Sequence, residues 1–271
     1  AFWGVPWVEA LAGCGVFADQ QTGSTRSLPP PGFRGAEDLA AFDPGSPWAR
    51  KAREFLRRLR ERGAGAFPLG TTLMRGISDL LSALYGGPEF LFRLMDHPGE
   101  QRRLIRALTD LWIAFARDQL AEIPDFHGGV GSYFYSMWLP GRGVFLQDDA
   151  SALMSPQLYG EFIYPAVVEI AGAFDTTVMH LHPSTYIPVD FLVDSPVTAI
   201  ELHIDLGGPS AEDLYAYYRK IQSRKPLLIW GDLSGADLEF IARRVDRRSL
   251  ALMPVVSTRE QAEAIWKRFR D

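Results

Sequence analysis

A single cysteine, Cys14, stands in 271 residues. A lone cysteine excludes an internal disulfide and any all-thiolate metal cage. Long apolar runs are missing too. No stretch approaches the roughly 20 residues that a membrane-spanning helix needs. The N-terminal Ala1-Phe-Trp-Gly-Val-Pro-Trp7 lacks the charged region and apolar core of a secretory signal. The expected location is cytoplasmic. Positive charge is in short supply, with 28 Lys and Arg against 33 Asp and Glu and a net charge of −5. Nucleic-acid binders need a basic surface, so neither nucleic acid nor membrane is an expected partner. No Gly-x-Gly-x-x-Gly or Walker-type loop follows any apolar run. Histidine is scarce, at five residues, which makes its placement informative.

Hydrophobic residues make up 47% of the chain, enough for a sizeable core. The one basic run, 50–62, carries seven Lys/Arg and two Glu. Its Ala52, Phe55, Leu56 and Leu59 recur at helical spacing, so it reads as a solvated helix with one buried stripe. Residues 1–49 are rich in Gly, Pro and aromatics and read as an irregular segment at the mouth of the fold. Beyond them the pattern alternates. Strands are predicted over 65–72, 129–137, 176–182, 197–204, 226–232 and 249–256. Helices are predicted over about 77–85, 99–123, 156–174, 210–222, 234–246 and 257–269. Ser155-Pro156 opens one helix. Ser210/Asp213, Ser234/Asp237 and Ser257/Glu260 repeat a Ser-x-x-acid start that satisfies free backbone N–H groups.

Strands alternating with helices imply a parallel sheet with helical cover. The expected class is α/β, as a single (β/α)8 TIM-type barrel over 1–271. An open doubly wound sheet is the structural alternative. Six strands fall short of eight. The abrupt aromatic start without Met is consistent with N-terminal strands lying upstream.

The chemistry concentrates at strand ends. His180 and His182 alternate at the end of Thr176-Thr-Val-Met-His-Leu-His182, and Glu201, His203 and Asp205 alternate on the next strand. Alternate residues share one face, and the C-terminal ends of barrel strands carry the active site. Imidazoles and carboxylates are ligands for zinc and related ions, so these five are the candidate metal ligands. Polar core residues held by hydrogen bonds are the bland alternative. Without a metal, His182 or a neighbouring imidazole could act as acid or base. Asp148 and Asp149 form a second group, and adjacent acids point in different directions. Tyr133, Tyr135 and Met137 alternate and Trp138 follows, so these aromatics line a pocket rim or fill core. Arg75 is a candidate for holding a substrate carboxylate or forms a surface ion pair. Asp232 ends the following strand.

These residues bear a resemblance. Leu146-Gln-Asp-Asp-Ala-Ser-Ala-Leu-Met-Ser-Pro156 and Tyr159-Gly-Glu-Phe-Ile-Tyr-Pro165 resemble the Asp…Ser-Pro…Phe…Pro stretch of the uroporphyrinogen decarboxylase superfamily. Val178-Met-His-Leu-His182 resembles the strand that carries a His-x-Cys zinc motif in its cobalamin-dependent methyltransferases. Pro6-Trp-Val-Glu-Ala-Leu-Ala-Gly-Cys14 and Phe42-Asp-Pro-Gly-Ser-Pro-Trp48 look like a poorly characterised branch of it. The resemblance implies a β/α barrel without its usual N-terminal stretch. It departs at three points. His182 stands where the methyltransferases have Cys, 250–256 offers no final cysteine ligand, and the Arg-Gln-Ala-Gly-Arg substrate clamp of the decarboxylases has no match.

The expectation is therefore an enzyme with a small-molecule substrate, performing metal-assisted methyl transfer with a corrinoid carried by a partner protein. His180, His182 and His203 would hold zinc, Glu201 or Asp205 would complete the site, and Asp149 would contact substrate. The alternatives are decarboxylation of a porphyrinogen, with Asp149 or Asp148 as the acid, and a catalytically silent corrinoid- or tetrapyrrole-binding barrel. A homodimer is a further possibility.

Overall fold

Five short apolar segments pair side by side into one parallel sheet. The computed structural model describes residues 4–21, 24–132 and 134–270. Nine strands and eleven α-helical segments are named here in chain order. The first part holds helix α1 (Trp7–Leu11), strands β1 (Gly15–Asp19) and β2 (Ser24–Leu28), then helices α2 (Pro47–Gly63), α3 (Ile77–Tyr85), α4 (Glu89–Asp96) and α5 (Pro98–Glu122). A hairpin of β3 (Gly129–Ser132) and β4 (Met137–Pro140) precedes β5 (Gly143–Gln147). Helix α6 (Pro156–Leu158) runs through a π-helical turn, Tyr159–Ile163, into α7 (Tyr164–Gly172). Then come β6 (Thr176–Leu181), α8 (Val189–Leu192), β7 (Ala199–Leu202), α9 (Tyr215–Gln222), β8 (Leu227–Gly231), α10 (Gly235–Arg244), β9 (Leu250–Pro254) and α11 (Arg259–Arg270).

The sheet order is β5-β6-β7-β8-β9, with every neighbouring pair parallel. Strands β5, β6 and β7 are buried at every position, as a sheet covered on both faces requires. Leu146, Met179 and Ile200 lie level and belong to the core. The register also sets Gln147 beside His180 and His180 beside Glu201. Level residues on parallel neighbours share a face, so the alternation read from sequence becomes one polar row across three strands.

The structure corrects several boundaries. No strand forms over 65–72, because Ala64 and Gly65 take positive φ to end α2 and Pro68 follows. The stretch instead runs extended beside the sheet. Leu69 C=O accepts from Gly131 N–H at 2.7 Å, and Arg75 makes a single parallel bridge to Gln147. The expected strand 129–137 is a hairpin that turns before Met137, with Ser136 at φ 50°. Tyr135 and Met137 therefore do not share a strand face, and Tyr133 lies outside the described residues. Strand β5 is not among the predicted strands. Part of 1–49 is regular, since β1 and β2 pair as an antiparallel hairpin.

The helix starts are closer to expectation. Ser155 Oγ accepts from Leu158 N–H, and Ser234/Asp237 form a reciprocal capping box. Ser210 and Asp213 bond reciprocally too, but they close a turn ahead of α9. At α11 the cap is Thr258, whose Oγ1 accepts from Gln261 N–H, one residue beyond the expected Ser257. Helix α2 packs its Ala52 and Leu56 inward, and its basic face is satisfied by Arg53–Asp118 and Arg57–Glu122 pairs to α5.

Candidate metal centre at the ends of the parallel strands

Glu201 lies at the bottom of the site with no solvent exposure. It accepts from His180 Nδ1, from His203 Nδ1 at 3.3 Å and from the Tyr135 hydroxyl at 3.3 Å. Burial alone would raise its pKa, but the His180 and His203 imidazoles outweigh it and hold the carboxyl below its usual range. An ionised carboxylate only accepts hydrogen bonds. Both imidazoles must therefore carry hydrogen on Nδ1 toward Glu201. Burial opposes charge on His180, yet Glu201 first, then Asp149 and Asp205, raise its pKa above the ordinary value. The Tyr135 phenol is pushed well up by burial and by Glu201, so it stays a donor.

His182 repeats the arrangement one row higher. Its Nδ1 lies 2.9 Å from both oxygens of Asp205. With both Nδ1 atoms engaged, Nε2 of His180 and Nε2 of His182 face each other at 3.0 Å. His203 Nε2 approaches Asp205 Oδ1 at 3.7 Å. Side-chain exposure climbs from 0% at Glu201 and 3% at His180 to 36% at His182 and 41% at Asp205, so the cluster opens toward solvent at its upper row.

Asp149 enters from the end of β5. The ligand atoms of Asp149, His180 and His182 lie within 4.8 Å of one another, as do those of His180, Glu201 and His203, and of His182, His203 and Asp205. Its Oδ2 accepts from Gln147 Nε2. Its Oδ1 is shielded from solvent and accepts from no described residue. Helix α3 fixes the approach, because Asp79 accepts the backbone N–H groups of Asp149 at 3.3 Å and Ala150 at 2.8 Å.

Asp148 points the other way, to Ser78 N–H at 2.9 Å and to the Ser78 hydroxyl. It caps α3 from a distance, since the residue before that helix is Gly76, where a Cβ would sit 2.3 Å from Gln147 O. Burial, opposed by the Ser78 bonds, pushes Asp148 up to about 7. Burial, with Asp149 and Asp148 nearby, also pushes Asp79 well up.

The expected substrate residues separate. Arg75 reaches the buried Glu9 of α1 at 3.3 Å. Trp138 is exposed at 45% and donates Nε1 to Phe126 O at 2.8 Å. Tyr135 is a buried partner of Glu201, not a rim aromatic. Asp232 is exposed after β8 and belongs to none of the three ligand groups.

The wall of the site was not foreseen. Phe134 and Phe145 flank His180 with ring centroids 5.6 and 6.0 Å away, and Trp230 meets His203 edge-on at 4.9 Å. Phe145, Gln147 and Asp149 alternate, so recognising β5 as a strand would have placed all three on the site face. The donors are nitrogen and oxygen only, two imidazole Nε2 atoms converge, and a buried carboxylate oxygen beside them is unpartnered. That set fits a divalent transition-metal ion.

Comparison with known proteins bears on the fold. No family model matches the chain. No curated protein matches it either. Among solved structures the chain is similar to a methyltransferase from Methanosarcina mazei, at 14% sequence identity and a TM-score of 0.66, covering 97% of this chain and 77% of that one. No helix among the described residues is long and apolar enough to cross a membrane. The chain is thus a mixed α/β protein with a methyltransferase-like fold, and its polar cluster stands at the C-terminal ends of the parallel strands.

Proposed function

We propose that this chain is a metal-dependent methyltransferase of the β/α-barrel type, working with a corrinoid carried by a partner protein on a small organic substrate. The observation that carries the reading is the pair of imidazole Nε2 atoms facing at 3.0 Å, each ring fixed through Nδ1 by a carboxylate. One hydrogen on either Nε2 closes this contact as a hydrogen bond, and a divalent ion accepting both lone pairs would take the place of that hydrogen. Carboxylate-held histidines are the usual outer support of metal ligands. The methyltransferase-like fold supports the reaction class. The barrel reading draws support from the extended stretch 69–75, which touches both β3 and β5.

His180 and His182 would hold the ion. When bound, the ion would supply Lewis acidity that lowers the pKa of a coordinated acceptor or draws charge from a leaving group. Glu201 holds His180 and His203 in the Nδ1–H form, and Asp205 orients His182. Phe134, Phe145 and Trp230 cover the buried side of the imidazoles and exclude water there. A porphyrinogen decarboxylase would need free cations for acidic side chains, and Arg75 is already engaged by Glu9.

Metal analysis and methyl-transfer assays test the proposal together. The purified chain is expected to hold about one zinc or similar ion, and His180→Ala and His182→Ala to lose both the ion and methyl transfer to or from a corrinoid. A metal-free protein with undiminished transfer activity sinks it.

A further inference from the structure

We infer that Asp149 is the third protein ligand of the ion, giving a sulfur-free sphere of two imidazoles and one carboxylate in which Glu201 orients the rings and does not bind. This deepens the metal-dependent reading above and rests on it.

The argument starts from which atoms are already spoken for. Glu201 is satisfied three times over, by His180, His203 and Tyr135. Moving it onto an ion would leave two buried Nδ1–H groups without an acceptor, and each unsatisfied buried donor is costly. Asp205 is likewise engaged, with both oxygens 2.9 Å from His182 Nδ1. Asp149 is the opposite case. One oxygen is held by Gln147, while Oδ1 is shielded from solvent and accepts from no described residue. An unpartnered buried carboxylate oxygen is expensive unless something positive meets it.

Geometry places that oxygen correctly. The ligand atoms of Asp149, His180 and His182 fall within 4.8 Å of one another. The backbone of Asp149 is pinned by Asp79, and its side chain by Gln147, which lies level with His180 in the sheet. A carboxylate so restrained is preorganised for its partner. The sphere then carries one negative charge and no thiolate. Such a set prefers ions of borderline-to-hard character and leaves open positions for oxygen or nitrogen groups of a substrate.

Cobalt(II) substitution in the full chain reads the sphere directly. Cys14, the only cysteine in the sequence, is buried in the core away from the cluster, so it adds no thiolate background. Wild-type protein with Co2+ is expected to show d–d bands and no thiolate-to-metal charge-transfer band. Asp149→Cys is expected to gain that band. Asp149→Asn is expected to weaken Zn2+ binding by more than the about 10- to 100-fold typical of an orienting residue. A variant Asp149→Cys that binds Co2+ without the new band overturns the inference while leaving a histidine-bound ion standing, and so does Asp149→Asn with wild-type Zn2+ affinity. Wild-type protein that takes up neither ion overturns the metal reading itself. Should Asp149→Cys fail to fold, the Zn2+ affinity of Asp149→Asn decides.

Discussion

Glu201 is the residue on which the cluster turns. It carries a full charge in a site without solvent, and two imidazoles and a phenol make that tolerable. Removing one partner of such a network leaves another buried group uncompensated. Glu201→Gln keeps the shape but offers an N–H2 group to ring nitrogens that already carry hydrogen. One histidine must then change tautomer or turn away. The expected outcome is a loss of metal affinity of about 10- to 100-fold and of stability by about 1–3 kcal/mol. Zinc titration and urea unfolding of the two proteins measure these. Metal affinity equal to wild type would show that Glu201 does not orient the ligands. The cluster itself was readable from spacing, because alternation alone aligns His180 with His182 and Glu201 with His203 and Asp205. The roles within it were not readable. Spacing cannot tell a carboxylate that holds a ring from one that faces an ion, and only the Nδ1 contacts separate Glu201 and Asp205 from Asp149.

At the scale of elements, the helix starts were legible because capping is local chemistry. The Ser234/Asp237 box at α10 follows from four residues of sequence. Asp237 does one thing the sequence does not tell: its Oδ1 also accepts Ala211 N–H at 2.7 Å, tying α10 to the turn before α9. Burial works against its charge, but the bonds from Ala211 and Ser234 outweigh it and hold its pKa below the ordinary value. A depressed carboxylate contributes stability that is present above its unfolded pKa and lost as pH falls through the folded one. Asp237→Asn is therefore expected to destabilise by about 1–2 kcal/mol near neutral pH, and the gap to wild type should narrow toward about pH 3. Thermal unfolding at both pH values checks this, and an unchanged gap would mean that ionisation plays no part. Strand β5 was missed for a physical reason. Its five residues, Gly143–Gln147, carry no polar alternation, since both faces are buried, and a short apolar run has no period to read. The hairpin at Gly129–Pro140 was misread because an uninterrupted aromatic run hid a turn that only the positive φ of Ser136 reveals.

Across the whole molecule, burial falls off from one side of the sheet to the other. Strands β6 and β7 are buried at every position, whereas β9 is only half-buried along its length and α11 has no buried residue. A cleft of about 410 Å³ runs between them, lined by Leu250, Leu252, Pro254, Ile265, Trp266 and Phe269. Val255 and Trp266 are exposed at 53% and 68%. The candidate metal centre thus stands on the best-buried strands, and the opposite edge is apolar surface with few contacts. Local opening costs follow buried contacts. Amide hydrogen exchange in α11 and β9 is accordingly expected to run about 100-fold or more faster than in β6 and β7, whose exchange should require global unfolding. Mass-spectrometric exchange on the full chain measures the ratio. Protection of α11 equal to that of β6, at every protein concentration, would contradict a burial gradient within the chain. Protection that rises with protein concentration would identify a second copy as what covers this edge, because only association makes local stability depend on protomer concentration.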